Sequence, residues 1–178
     1  MKELSAGLPG LRMFEMSYHR DERGFFVERY REDKLAALGF SEKFVQDNHS
    51  RSAPRVLRGL HFQNDPPQGK LVSVIRGRIF DVAVDIRKGS STFGKWFGTE
   101  LSDENGRMLW VPYGFAHGFC VLGSEPADVS YKVTGFYNGA TEGGLRWDDS
   151  VVGVQWPLKD PLVSGRDMML GGLELLRT

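Results

Sequence analysis

The residues best suited to chemistry stand in the run Arg58-Gly59-Leu60-His61-Phe62-Gln63. Past the glycine, polar and apolar side chains alternate with the period of a β-strand. His61 and Gln63 therefore share one face, and Leu60 and Phe62 share the other. If the polar face meets solvent, His61 is a surface histidine on a charged strand. If it turns inward, the imidazole, with Arg58 just before it and Lys70 further along, makes a pocket for an anionic, carbonyl-bearing ligand, with His61 as general base. A metal centre would need a second ligand two residues on, because neighbours on one strand face converge on the same ion. That position holds Gln63, a poor ligand, so the expectation is a site without metal or cofactor; His49 and His117 could serve only through long-range convergence.

His117 lies in Pro112-Tyr113-Gly114-Phe115-Ala116-His117-Gly118-Phe119, where proline and two glycines confine the backbone among aromatic rings. The pattern fits a packed turn with a hydrogen-bonded core histidine as well as it fits a site residue. Tyr131 and Tyr137 have an even separation and share a face if their strand is unbroken. A phenol can return a proton to a carbanion or stack on a base, and either ring could equally fill the core.

The elements that must position these groups are mostly strands. Glycine is frequent, 22 of 178 residues, and separates short apolar runs. Runs rich in β-branched and aromatic residues predict strands at Phe25–Tyr30, Val56–Gln63, Lys70–Ile75, Ile79–Ile86, Trp96–Leu101, Met108–Val111, Gly118–Leu122 and Val129–Tyr137. In Ile79–Ile86 one face is apolar and the other carries Asp81 and Asp85. Arg76-Gly77-Arg78 supplies a tight connection. A short helix is predicted at Glu32–Leu38, ended by Gly39, and helical turns at Met168–Leu176 are interrupted by Gly171-Gly172. Many short strands with few helices imply a sandwich or closed barrel, a jelly roll first among them.

Composition narrows the function. The chain carries 23 Lys+Arg against 23 Asp+Glu, so no long-range field gathers nucleic acid or anionic lipid. Its length suits a single domain, 1–178. The longest uncharged stretch, Met108–Ser124, contains Pro112 and His117 and falls short of the roughly 18 apolar residues that a spanning helix needs. A lone Cys120 and a start without an apolar signal core point to the cytoplasm.

Taken together, Asp21-Glu22-Arg23-Gly24-Phe25-Phe26-Val27-Glu28, Gln46-Asp47-Asn48-His49-Ser50, the Arg58 to Gln63 run, Gln68-Gly69-Lys70-Leu71-Val72, Asp81 to Arg87, Pro112 to Phe119, Tyr131-Lys132 and Ser164-Gly165-Arg166-Asp167 resemble the dTDP-4-dehydrorhamnose 3,5-epimerase family over nearly the whole chain. The resemblance implies a homodimeric, metal-free, all-β, cupin-like jelly-roll barrel with short peripheral helices. It implies an isomerase that inverts C3 and C5 of dTDP-4-dehydro-6-deoxy-D-glucose to give dTDP-4-dehydro-L-rhamnose. By it, His61 is the base, Asp167 orients His61, Tyr131 is the proton donor and Lys70 the cation beside the enolate oxygen. Arg23, Phe26, Glu28, Gln46, Asn48, Arg58, His117, Tyr137, Glu142 and Arg166 match substrate contacts, Phe26 and Glu28 by reaching a neighbouring subunit. Arg166 stands where lysine is frequent. Related outcomes are inversion at C3 or C5 alone, a 3,4-ketoisomerase, which Gln63 disfavours, and a sugar-nucleotide sensor without catalysis.

Overall fold

The apolar runs form strands, and the polar segments between them add more. In chain order the computed structural model, which describes residues 1–176, contains β1 (Lys2–Leu4), β2 (Arg12–Glu15), β3 (Tyr18–Asp21), β4 (Gly24–Val27), α1 (Glu32–Ala37), β5 (Gln46–Ser52), β6 (Val56–Gln63), β7 (Lys70–Arg76), β8 (Arg78–Asp85), β9 (Trp96–Ser102), β10 (Arg107–Val111), β11 (Phe115–Val121), β12 (Ala127–Val133), β13 (Glu142–Gly144), β14 (Leu162–Val163), α2 (Gly165–Met168) and a closing 3-10 turn, Leu173–Leu176. One sheet runs β1-β2-β10-β7-β12-β5. The other runs β13-β6-β11-β8-β9, with β14 parallel to β6, and β3–β4 is a separate hairpin. The two sheets pack face to face as a cupin-like jelly roll.

Between the sheets lies a core of Val72, Val74, Ile79, Ala83, Leu109, Val121 and Val129. The outer face of the second sheet is covered by the C-terminal segment, so Leu60, Val82, Val84 and Ala116 pack on Leu145, Val152 and Leu173. The outer face of the first sheet is covered by α1, whose Leu35 joins Phe14, Leu71 and Trp110. Every residue of β11 is buried as a result, and the carboxylate face of β8 is buried as well as its apolar face.

Buried charges must be paired, and these are. Asp85 accepts from Arg87 Nε (2.9 Å), Ser90 Oγ (2.7 Å) and Thr92 Oγ1 (2.6 Å), which pins the loop after β8. Burial works against its charge, but these donors win and hold the carboxyl well below the usual range.

Helix α1 ends at Ala37, and Gly39 follows with φ +74°. Phe40 N–H donates to Leu35 O (3.0 Å) and Gly39 N–H to Ala36 O (2.8 Å), the paired bonds of a left-handed glycine terminus. The C-terminal turns are separate, as the glycine pair implied, but the first begins at Gly165, earlier than the apolar pattern suggests. Ser164 caps it, its Oγ accepting from Asp167 N–H at 3.1 Å. Among the described residues no helix is long and apolar enough to cross a membrane.

Candidate active site

Strand β6 carries a bulge at its glycine. His61 pairs with His117, yet Arg58 pairs with Phe119, so β6 spends an extra residue across from β11. On a regular strand positions 58 and 61 point to opposite faces; the inserted residue turns both side chains into one cavity. Only glycine fits there. Gly59 has φ +122°, and a Cβ on it would meet Gly118 Cα at 2.6 Å and His117 O at 2.9 Å.

The cavity, about 520 Å³, lies between the sheets and is of the size that takes small ligands. Arg58, His61 and His117 line it from the second sheet, Ser50, Lys70 and Tyr131 from the first, and Leu162, Arg166 and Asp167 from the segment that closes the open end. His61 therefore points inward rather than to solvent.

His61 Nε2 lies 2.7 Å from Asp167 Oδ1. An ionised carboxylate only accepts, so Nε2 carries the proton and Nδ1 keeps its lone pair. The second oxygen of Asp167 accepts from the bulge itself, Gly59 N–H, at 3.2 Å. Two backbone features thus fix the dyad from either side: the bulge and the Ser164 cap. The spacing Ser164-x-x-Asp167 is a sequence signal for that cap.

His117 forms a second pair, with Nε2 2.9 Å from Asp81 Oδ2, and both groups are buried. Sequence reading left Asp81 without a partner. Strand alternation places it on the inner face, and the register of β11 against β8 brings it near His117.

Lys70 Nζ donates weakly to His61 O at 3.4 Å. Burial lowers its pKa from 10.5 to about 8, against the opposing pull of Glu142 and Asp81. Tyr131 is pushed up from 10, by burial first; Arg58 and a hydrogen bond from Asn48 offset part of this. The phenol is therefore protonated and the lysine largely cationic at neutral pH.

At the rim a chain of hydrogen bonds joins several expected contact residues. Glu142 Oε2 accepts from Arg166 (2.6 Å) and from Tyr137 Oη (2.9 Å). Burial works to raise the Glu142 pKa, but these two bonds and nearby His61 bring it below the usual value. Tyr137 N–H donates to Gln46 Oε1 (3.1 Å), and Gln46 Nε2 donates to Asn48 Oδ1 (2.8 Å). Gln46, Asn48, Ser50 and Ser52 are the inward-facing row of β5, a strand that its polar sequence concealed. Ser52 Oγ accepts from Arg58 Nε at 2.9 Å, and the Ser50 hydroxyl has no partner among the described residues.

One expectation needs correction. Tyr137 does not share a strand face with Tyr131: β12 ends at Val133, where the chain turns into a loop, and Tyr137 reaches the rim from that loop, 57% exposed. Arg23, Phe26 and Glu28 do not line this cavity, which agrees with the expectation that Phe26 and Glu28 reach a different subunit's site and leaves Arg23 untested. They lie on or beside the β3–β4 hairpin, which bonds to neither sheet. There Arg23 pairs with Asp21 (2.6 Å), and Glu28 pairs with Arg31 (3.2 Å) and Lys34. Among the described residues no three His, Cys, Asp or Glu side chains converge as metal ligands.

Comparisons with known proteins point to one family. Residues 5–174 match the family model described as dTDP-4-dehydrorhamnose 3,5-epimerase. The chain is 49% identical over 170 residues to the dTDP-4-dehydrorhamnose 3,5-epimerase of Shigella flexneri, covering 94% of this chain and 93% of that protein. It is 40% identical over 163 residues to the dTDP-4-dehydrorhamnose 3-epimerase of Streptomyces niveus, covering 90% and 78%. Among solved structures, it superimposes with a TM-score of 0.94 and 45% identity on dTDP-6-deoxy-D-glucose-3,5-epimerase from Legionella pneumophila Philadelphia 1 in complex with dTDP-4-keto-L-rhamnose, covering 98% of this chain and 93% of that one. With a family model over nearly the full length and relatives at this identity, the chain belongs to the dTDP-4-dehydrorhamnose 3,5-epimerase family.

Proposed function

We propose that the protein inverts C3 and C5 of dTDP-4-dehydro-6-deoxy-D-glucose, giving dTDP-4-dehydro-L-rhamnose. One observation carries the reading: a histidine with a free ring nitrogen and a protonated phenol stand on opposing walls of one cavity, His61 on β6 and Tyr131 on β12, with a half-buried lysine on β7. A sugar ring held between the walls offers its hydrogens to one side and receives protons from the other.

The 4-keto group makes the hydrogens on both neighbouring carbons acidic, so the chemistry requires no metal or cofactor. His61 takes the C5 hydrogen as a proton, and the C–H pair moves into the C4–C5 bond while the carbonyl pair shifts to O4. Lys70 opposes the charge that builds on O4 in a water-poor site, where a fixed cation is most effective. Asp167 stabilises the imidazolium. Tyr131 gives its proton to the other face of C5 and the carbonyl reforms, with inversion. Exchange with water resets both groups; at C3 His61 abstracts in the same way, and the proton on the opposite face comes from solvent rather than from Tyr131. Arg58, Arg166 and His117 suit the diphosphate, the guanidinium fork matching phosphate oxygens. Gln46, Asn48, Tyr137 and Glu142 fix the remainder of the nucleotide sugar.

The working form in this reading is a cytoplasmic homodimer. Strand β5 is the free edge of its sheet and runs beside the cavity, and an open edge invites pairing. The β3–β4 hairpin displays Phe26, 65% exposed, together with Phe25. A partner's hairpin on this edge would bring Arg23, Phe26 and Glu28 to the site.

Incubation with the substrate in D₂O tests the assignment. Wild type should place deuterium at C3 and C5, His61→Ala at neither, with a loss of about 10²–10⁴-fold in turnover. Tyr131→Phe should retain exchange at C3 and fail to complete inversion at C5. Exchange at both carbons without the imidazole would place the base elsewhere. Deuterium at C3 alone in wild type would make the protein a 3-epimerase.

A further inference from the structure

Gln63 shares the polar face of β6 with His61 and stands directly opposite Glu142 in the register of β13, yet it does not line the cavity. It is 5% exposed, and a buried amide must spend its donors and acceptors on something. Nε2 donates to Pro66 O (2.8 Å) and to Phe136 O (3.0 Å), and Oε1 accepts from Asn138 N–H (2.8 Å). Two carbonyls on one side and an N–H on the other leave the amide only one orientation. The two contacts in the 134–141 loop flank a single residue: the carbonyl before Tyr137 and the N–H after it.

We propose that Gln63 is a positioning residue, holding the backbone on both sides of Tyr137 so that this ring is preset for the nucleotide end of the substrate. The proposal rests on the reading of Tyr137 as a substrate contact. Tyr137 is largely exposed and has little packing of its own to fix it; its other ties are the N–H to Gln46 and the hydroxyl to Glu142, beside Arg166. Around the amide the 134–141 loop is laced to the 64–69 loop by Gln68 Nε2 to Gly135 O (2.9 Å), Gly69 N–H to Thr134 Oγ1 (2.9 Å) and Asn138 Nδ2 to Asp65 O (3.0 Å). Gln63 is the buried centre of that clasp. Without it the ring would be ordered at the cost of binding energy each time substrate enters, which weakens affinity and leaves proton transfer at His61 nearly intact.

The experiment compares wild type, Gln63→Leu, Tyr137→Ala and the double variant in binding of dTDP alone by calorimetry, with steady-state kinetics and amide exchange at Asn138. Gln63→Leu should weaken dTDP by about tenfold, raise KM in proportion and lower kcat far less, and speed exchange at Asn138. The double variant should bind dTDP no more weakly than Tyr137→Ala, because Gln63 acts through that ring. Wild-type affinity in Gln63→Leu, or a double-variant loss equal to the product of the single losses, overturns the proposal. If Tyr137→Ala binds dTDP like wild type, the reading of Tyr137 fails instead, and the exchange rate at Asn138 still reports whether Gln63 holds the loop. Should Gln63→Leu not fold, Gln63→Glu replaces it. Its carboxylate still accepts from Asn138 but repels the two carbonyls, so its affinity should fall below wild type at pH 8 and approach it at pH 5, where the acid can donate. A gap that ignores pH overturns the proposal.

Discussion

Lys70 should make the folded protein less stable than it would be without that charge. Burial moves the lysine from 10.5 to about 8. A drop of about 2.5 units corresponds to about 3 kcal/mol against the folded state, and because the ammonium meets a cavity open to water we take half of that, about 1.5 kcal/mol, as the lower end. In the unfolded chain the lysine keeps its proton up to about pH 10.5, whereas in the folded protein it releases it near 8. Between those values the unfolded state binds more protons, so stability rises with pH; below 8 the whole penalty is present. Lys70→Met carries no charge in either state. It should therefore exceed wild type by about 1.5–3 kcal/mol at pH 7 in urea unfolding, less the contribution of the long contact to His61 O, and the gap should close from pH 8 to 10.5. Turnover should fall by about 10²–10³-fold as the counter-charge to the enolate is lost, and wild-type kcat/KM should decline above about pH 8. A methionine variant less stable than wild type at pH 7, or a gap indifferent to pH, would refute the argument.

Asp167→Asn should keep the fold, since Ser164 caps a backbone N–H, while its amide donates to His61 Nε2 and drives the proton onto Nδ1; turnover should drop by about 10²–10⁴-fold, and wild-type deuterium exchange in this variant would contradict the assigned tautomer. On the homodimer reading proposed above, Phe26→Glu should halve the mass seen in sedimentation and lower kcat/KM together with it; a fully active monomer would separate the hairpin from the site. Asp85→Asn should cost about 3 kcal/mol at neutral pH through loss of its partnership with Arg87. The depressed Asp85 carboxyl gives stability that is present above about pH 4 and lost on acidification, so the asparagine variant should show a flatter decline in acid melts, and an unchanged acid profile would mean that this carboxyl is not linked to folding.

The scaffold was largely legible because its signals are local. All eight expected strands are present, and Gly39 and Gly77 end and connect elements where the sequence placed them. The polar strand β5 was not legible as structure. Gln46-Asp47-Asn48-His49-Ser50-Arg51-Ser52 has no apolar face, because its inner face borders a cavity and its outer face borders solvent. Its alternating burial is plain once the cavity is known, whereas apolar periodicity has nothing there to detect. The reach of the strand after Tyr131 was overread for a related reason: Gly135, Phe136 and Tyr137 look like strand, but the clasp around Gln63 bends them into a loop.

The site was legible by residue type and not by geometry. Alternation put His61 and Gln63 on one face correctly, but it gives Arg58 the opposite one, and only the bulge at Gly59 reconciles the two. That bulge needs Gly59 to have no Cβ, needs Gly118 across from it to be equally bare, and offers an N–H that Asp167 accepts. Three residues distant in sequence therefore form one device, in which a backbone irregularity both turns His61 into the cavity and anchors the Asp167 carboxylate paired with it. Replacing Gly59 by alanine should consequently cost activity beyond its cost in stability. The forced shift of β6 against β11 moves Arg58 and His61 relative to Asp167, and a displacement of about 1 Å is enough to lose about 10²-fold in rate. A folded Gly59→Ala protein with wild-type turnover would show that the bulge shapes the strand without serving the chemistry.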